Sequence, residues 1–257
     1  MKKKPKMKLW KKLVIGLVAI VLVFTATLTV FMGVFLEGNG SKYSVSKVEV
    51  LPDSPLKGKT ILFLGSSVTQ GMGSLGTSFV DYLAKADQVD SIKEAVSGTT
   101  LVDNGKNSYV QRMLKQDPSL KLDAFVCQLS TNDATKKLEL GTIDESKDLK
   151  DFDTKTIIGA MEYIIAYASE TWDCPVIFYT GTYYEDENYQ AMVEALLQLK
   201  DKWGIGVIDL WNDKELNDIT ADQRKLYMKD DIHPTKAGYL EWWTPVIREY
   251  LINYLTK

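Results

Sequence analysis

The stretch Thr60-Ile61-Leu62-Phe63-Leu64-Gly65-Ser66-Ser67-Val68-Thr69-Gln70-Gly71 joins an unbroken apolar run to a polar turn bracketed by glycines. A short apolar run bounded by turn residues reads as a strand buried on both faces. Runs of the same kind follow at 92–96, 124–129, 175–179 and 206–210. Helical spacing appears between them at 79–86, 109–115, 154–171 and 189–203, and a closing helix is expected over 236–255. Strands alternating with helices imply an α/β domain whose five-stranded parallel sheet is covered on both faces.

In such a sheet, ligands bind beyond the carboxyl ends of the strands. Chemistry is therefore expected in the Gly65 to Gly71 turn, in Ser97-Gly98-Thr99-Thr100, in Ser130-Thr131-Asn132-Asp133 and in Thr180-Gly181-Thr182-Tyr183-Tyr184. A serine hydrolase needs an exposed hydroxyl, a base to take its proton, an orienter for the base, and donors for the oxyanion. His233 is the only histidine in the chain, so any imidazole base must be this residue. It lies in the polar loop Asp230-Asp231-Ile232-His233-Pro234-Thr235, ahead of the closing helix. Taken alone, a loop histidine reads as a solvated side chain.

Four blocks, in order across roughly residues 60 to 240, resemble those of the SGNH (GDSL-type) hydrolases. Gly65-Ser66-Ser67-Val68-Thr69 is similar to the family's Gly-Asp-Ser-x-Thr, Gly98 matches its second-block glycine, and Ser130-Thr131-Asn132-Asp133 is similar to Gly-x-Asn-Asp. Asp230, His233 and Pro234 match the last block, Asp-x-x-His-Pro, in full. The resemblance implies a flavodoxin-like three-layer α/β/α fold. It also implies Ser67 as nucleophile, His233 as base, Asp230 as orienter, and an oxyanion hole of the Ser67 and Gly98 amides with the Asn132 side chain. No cofactor or metal is implied, and the expected activity is ester hydrolysis through an acyl-enzyme.

Two positions depart from the family pattern. Ser66 stands where the family has aspartate, and Ser130 where it has glycine. Neither carries a catalytic group, so the departures bear on loop geometry. Outside the blocks, Ser67 would read as a helix cap and Asn132 as a turn residue. Asp231 is the rival to Asp230, and the block spacing favours Asp230. The nucleophile elbow of the general α/β-hydrolases is absent, since Thr69 replaces its second glycine. A phosphate-binding Gly-Lys-Ser/Thr is absent as well.

The first 36 residues differ from the rest. Residues 1–12 hold seven lysines and no acid, and 13–36 run for 24 residues without a charge. A helix of that length is about 36 Å long, enough to cross a hydrocarbon core of about 30 Å. The expected organisation is a cytoplasmic basic tail at 1–12, a transmembrane helix at 13–36, a linker or stalk at 37–56 with a short extended piece at 45–51, and the hydrolase domain at 57–257. A cleaved signal peptide is the rival, disfavoured by the length of the apolar run and the lack of a small-x-small cleavage site. The flanking lysines place the amino terminus in the cytoplasm and the domain outside.

Setting those seven lysines aside leaves 24 of the 31 basic residues against all 34 acidic ones, a formal charge of about −10. So acidic a domain argues against nucleic acid as a ligand. Cys127 and Cys174 read as free buried thiols, with a bridge between them the alternative, and lack the spacing of a metal site. The substrate is expected to be a small-molecule or carbohydrate ester of the cell envelope, with lipid esters as the alternative, and Tyr183, Tyr184 and Tyr189 are residues that could line its pocket or simply pack. An O-acyltransferase would use the same covalent intermediate, and a non-catalytic binding module would have no need of the base.

Overall fold

In the computed structural model, which describes residues 9–256, each predicted apolar run becomes a strand. The elements in chain order begin with α1 (Leu9–Leu36), β1 (Thr60–Gly65), α2 (Ser67–Gln70), α3 (Phe79–Ala86), β2 (Asp90–Ala95) and α4 (Tyr109–Met113). They continue through β3 (Ala124–Gln128), α5 (Thr131–Thr135), α6 (Ile157–Trp172), β4 (Val176–Tyr179), α7 (Glu187–Trp203) and β5 (Gly206–Ile208). After α8 (Lys214–Asn217) and α9 (Ala221–Tyr227), the expected closing helix is a π-helical turn at Gly238–Trp243 leading into α10 (Thr244–Leu255).

The five strands are parallel in the order β2-β1-β3-β4-β5. Side chains alternate across β1. Ile61 and Phe63 pack in one buried cluster with Phe79, Trp243 and Leu251, while Leu62 and Leu64 pack in the other with Ile164, Met192 and Leu196. Both faces are therefore covered, as the uninterrupted apolar strands require. Each such large side chain fully buried contributes about 1.5–3 kcal/mol. Helix starts follow local sequence: Ser78 and Asp81 form a capping box on α3, and the side chains of Thr156 and Asp186 cap α6 and α7.

Chain order reverses about β1, which has β2 on one side and β3 on the other. A switch point of this kind opens a crevice at the carboxyl ends. Gly65 pairs with Ala95, and Leu64 with Cys127, so the turns carrying Ser67, Gly98 and Asn132 leave the sheet at one level.

The stretch 37–56 differs from a free stalk. Val45–Lys47 is a 3-10 turn where an extended piece was expected, and Asn39, Tyr43 and Leu56 are buried. The segment lies against the domain, with the Tyr82 hydroxyl donating to Tyr43 O at 2.7 Å and Leu51 N donating to Ala86 O at 2.7 Å. At the amino-terminal end, residues 1–8 of the expected basic tail lie outside the described residues. Among residues with described side chains, no helix is long and apolar enough to cross a membrane, although the α1 backbone runs for 28 residues. Val14, Leu17, Val21 and Phe24 on α1 are all exposed. Cys127 and Cys174 are both free thiols.

Candidate active site

Three strand-end turns and one distant loop converge. Ser67 begins α2 immediately after β1, and its Oγ lies 2.8 Å from His233 Nε2. On the other side of the ring, Nδ1 lies 2.8 and 2.9 Å from the two carboxylate oxygens of Asp230. A carboxylate only accepts, so Nδ1 carries the ring proton, and Nε2 is left to accept from the Ser67 hydroxyl.

Asp230 also shapes its own loop. Its Oδ1 accepts from the backbone amides of Ile232 and His233 at 3.0 and 2.8 Å, an Asx turn that presents the ring. Burial pushes the Asp230 carboxyl upward, but hydrogen bonds from the His233 ring and these two amides outweigh it and hold the group at about 2. Asp231 points away, with its side chain 81% exposed and 3.4 Å from Arg224. Of the two aspartates, Asp230 is the one in contact with the ring.

The Gly65 block is built around Gln128, at the end of β3. Gln128 Oε1 accepts from Ser66 N at 3.0 Å, Thr69 N at 3.1 Å and Thr69 Oγ1 at 2.8 Å. A Cβ on Gly65 would collide with Thr69 and Gln128, which explains both the glycine and the threonine of this block. Ser66, in the aspartate position, is fully buried and accepts from Gln128 Nε2 at 3.1 Å. Ser130 has φ −75°, ordinary extended backbone, so the glycine found there in the family is not required.

Gly98 has φ +78° and sits in the left-handed region that glycine alone adopts freely. Asn132 donates to Thr99 O at 3.0 Å, which fastens it to the Gly98 turn and leaves it a second amide hydrogen to donate. Two buried charges stiffen this turn. The Asp133 carboxylate accepts from Leu101 N at 2.9 Å and Val102 N at 3.1 Å, while burial pushes its pKa up. The Arg112 guanidinium donates to Gly65 O at 2.8 Å, Glu94 O at 2.9 Å, Thr99 Oγ1 at 3.1 Å and Asn107 O at 3.0 Å. It therefore joins the ends of β1 and β2 to the Gly98 turn that follows β2.

The tyrosines divide. Tyr183 is 51% exposed, with its ring centroid 5.0 Å from that of Trp211. Tyr184, which could line a pocket or simply pack, is only 8% exposed and packs on Tyr189 and Trp211 at 5.4 and 5.2 Å. Tyr189 is fully buried, with its hydroxyl donating to Leu129 O at 3.2 Å. Tyr184, Val68 and Ile232 border a narrow gap with no room for a water molecule.

Residues 63–240 match the family model described as GDSL-like lipase/acylhydrolase. The chain belongs to that family. It is a serine ester hydrolase with the α/β fold of the group. Among solved structures, a protein described as a GDSL-like lipase from Bacteroides ovatus is similar at 18% identity and TM-score 0.59, covering 77% of this chain and 99% of the other. An acetyl xylan esterase is similar at 16% identity and TM-score 0.54, covering 76% and 98%. A family two carbohydrate esterase from Clostridium thermocellum, solved with cellohexaose, is similar at 16% identity and TM-score 0.54, covering 80% and 67%. At these identities the structural likeness concerns the fold. No curated protein matches the chain.

Proposed function

We propose that Ser67, His233 and Asp230 form the catalytic triad of this esterase, with the Ser67 and Gly98 amides and the Asn132 side chain as oxyanion donors. The observation that carries this reading is the continuous hydrogen-bond path from Ser67 Oγ through His233 to Asp230, with each link near 2.8 Å. The Ser67 proton passes to His233 Nε2 as Oγ bonds to the ester carbon, and the resulting oxyanion is held by the three donors. His233 then gives that proton to the departing alcohol oxygen as the carbon–oxygen bond breaks. Water attacks the acyl-Ser67, one of its protons goes to His233, and that proton returns to Ser67 Oγ as the carboxylic acid leaves. Asp230 steadies the imidazolium at both stages.

The substrate in this reading is a carbohydrate carrying a short acyl group, acetyl first. The exposed ring of Tyr183 offers a stacking face for a sugar. The carbohydrate esterases among the structural relatives agree with this choice. Helix α1 acts as a single-pass anchor, with the lysine-rich end in the cytoplasm and the catalytic domain outside; its apolar, exposed side chains and the seven lysines support that topology.

A panel of p-nitrophenyl acetate, butyrate and octanoate with the full chain in detergent tests the acyl preference. kcat/KM is expected to fall about tenfold or more from acetate to octanoate, the scale on which a pocket discriminates methylenes. A flat or rising profile would remove the short-acyl assignment.

A further inference from the structure

The segment between α1 and β1 accepts two hydrogen bonds from the backbone that follows His233. The closing helical stretch starts at Lys236, three residues after the imidazole, and the first amides of any helix lack partners within it. Thr235 Oγ1 accepts only one of them, Gly238 N, at 3.2 Å. The segment accepts the other two: Lys236 N donates to Asn39 Oδ1 at 3.0 Å, and Ala237 N donates to Gly38 O at 2.8 Å. The same Asn39 side chain donates through Nδ2 to Gly73 O at 3.0 Å.

Gly73 belongs to the 3-10 turn Met72–Ser74 that follows α2, the helix begun by Ser67. A Cβ on Gly73 would meet His233 Cβ and Pro234 O, so this turn backs directly on the histidine loop. Gly38 is equally confined, since a Cβ there would collide with Leu226 O and Thr235. Asn39 is buried. One amide side chain therefore joins the segment bearing Ser67 to the segment bearing His233, two residues 166 positions apart.

We infer that Asn39 is a positioning residue that fixes the Ser67 to His233 spacing, and that 38–39 belong to the working enzyme and not to a stalk. The inference rests on the triad reading above. A hydroxyl and its base misplaced by about 1 Å lose on the order of 100-fold in rate, while substrate contacts elsewhere persist. The signature is a fall in kcat with KM retained.

The test uses the full chain in detergent with p-nitrophenyl acetate. Asn39→Ala is expected to lower kcat about 10- to 100-fold with KM within about twofold. Asn39→Asp, which keeps the acceptor for Lys236 N and loses the donor to Gly73 O, should fall between. His233 is the only histidine, so 15N-histidine labelling gives one ring. Its Nδ1 proton signal should be sharp in the wild type and broadened by solvent exchange in Asn39→Ala. Ser54→Ala, which loosens the other end of the segment where Ser54 Oγ donates to Asp87, should leave kcat and the ring signal unchanged. A folded Asn39→Ala with wild-type kcat and a sharp ring signal overturns the inference. Should Asn39→Ala fail to fold, Asn39→Asp decides by the same two readouts. Full activity in His233→Ala would instead remove the triad reading beneath it.

Discussion

His233→Ala is expected to lower kcat on p-nitrophenyl acetate by about 10⁴- to 10⁶-fold, the range seen when the base of a serine triad is removed. Its Nε2 is the acceptor 2.8 Å from Ser67 Oγ, and the sequence holds no second imidazole to replace it. Ser67→Ala should be as damaging. The double variant should be no worse than either single one, because nucleophile and base act in one step. Stopped-flow release of p-nitrophenol, with circular dichroism to establish that the fold persists, makes the comparison. A double variant much slower than both singles would mean that the two residues act separately.

Asp230→Asn and Asp231→Asn should differ by orders of magnitude. Loss of the orienter lowered turnover about 10⁴-fold in a serine protease, and that is the upper scale for Asp230→Asn. The effect is direct because both carboxylate oxygens approach Nδ1, whereas Asp231 faces solvent beside Arg224. Acid stability gives a second reading of the same contact. The Asp230 carboxyl sits at about 2 in the folded chain, against about 3.9 when unfolded, so the unfolded chain binds more protons between those values. The stabilisation is complete above about pH 4 and is lost as pH falls toward 2. Asp230→Asn should flatten the pH dependence of unfolding across that window.

The five strands were readable because each is a continuous apolar run closed by polar turn residues, the pattern that burial on both faces imposes. Ser67, Gly98 and Asn132 were readable as blocks at strand ends, and Asp230 and His233 as a block in the loop ahead of the closing helix. Gln128 and Arg112 were not. Their partners lie far along the chain, as with Gln128 and Ser66 at 62 positions or Arg112 and Gly65 at 47, and no local pattern encodes such a contact. One signal was available for Arg112, since a cation on the apolar spacing of the helix at 109–115 needs buried acceptors.

The segment 37–56 misled for a related reason. Gly38-Asn39-Gly40-Ser41 has the composition of a flexible linker, yet Gly38 is there because no side chain fits against Leu226, and Asn39 because its amide both donates and accepts. For Tyr184 the sequence left pocket lining and packing open, and the rings of Tyr189 and Trp211 enclose it.

Ser67 as the activated nucleophile is the claim on which the rest depends, and covalent labelling tests it most directly. The full chain in detergent, treated with a fluorophosphonate probe and digested, should yield one modified peptide with the label on Ser67. Labelling should be lost in Ser67→Ala and greatly slowed in His233→Ala. A label that maps to Ser66 or another serine, or that persists in Ser67→Ala, would contradict the account.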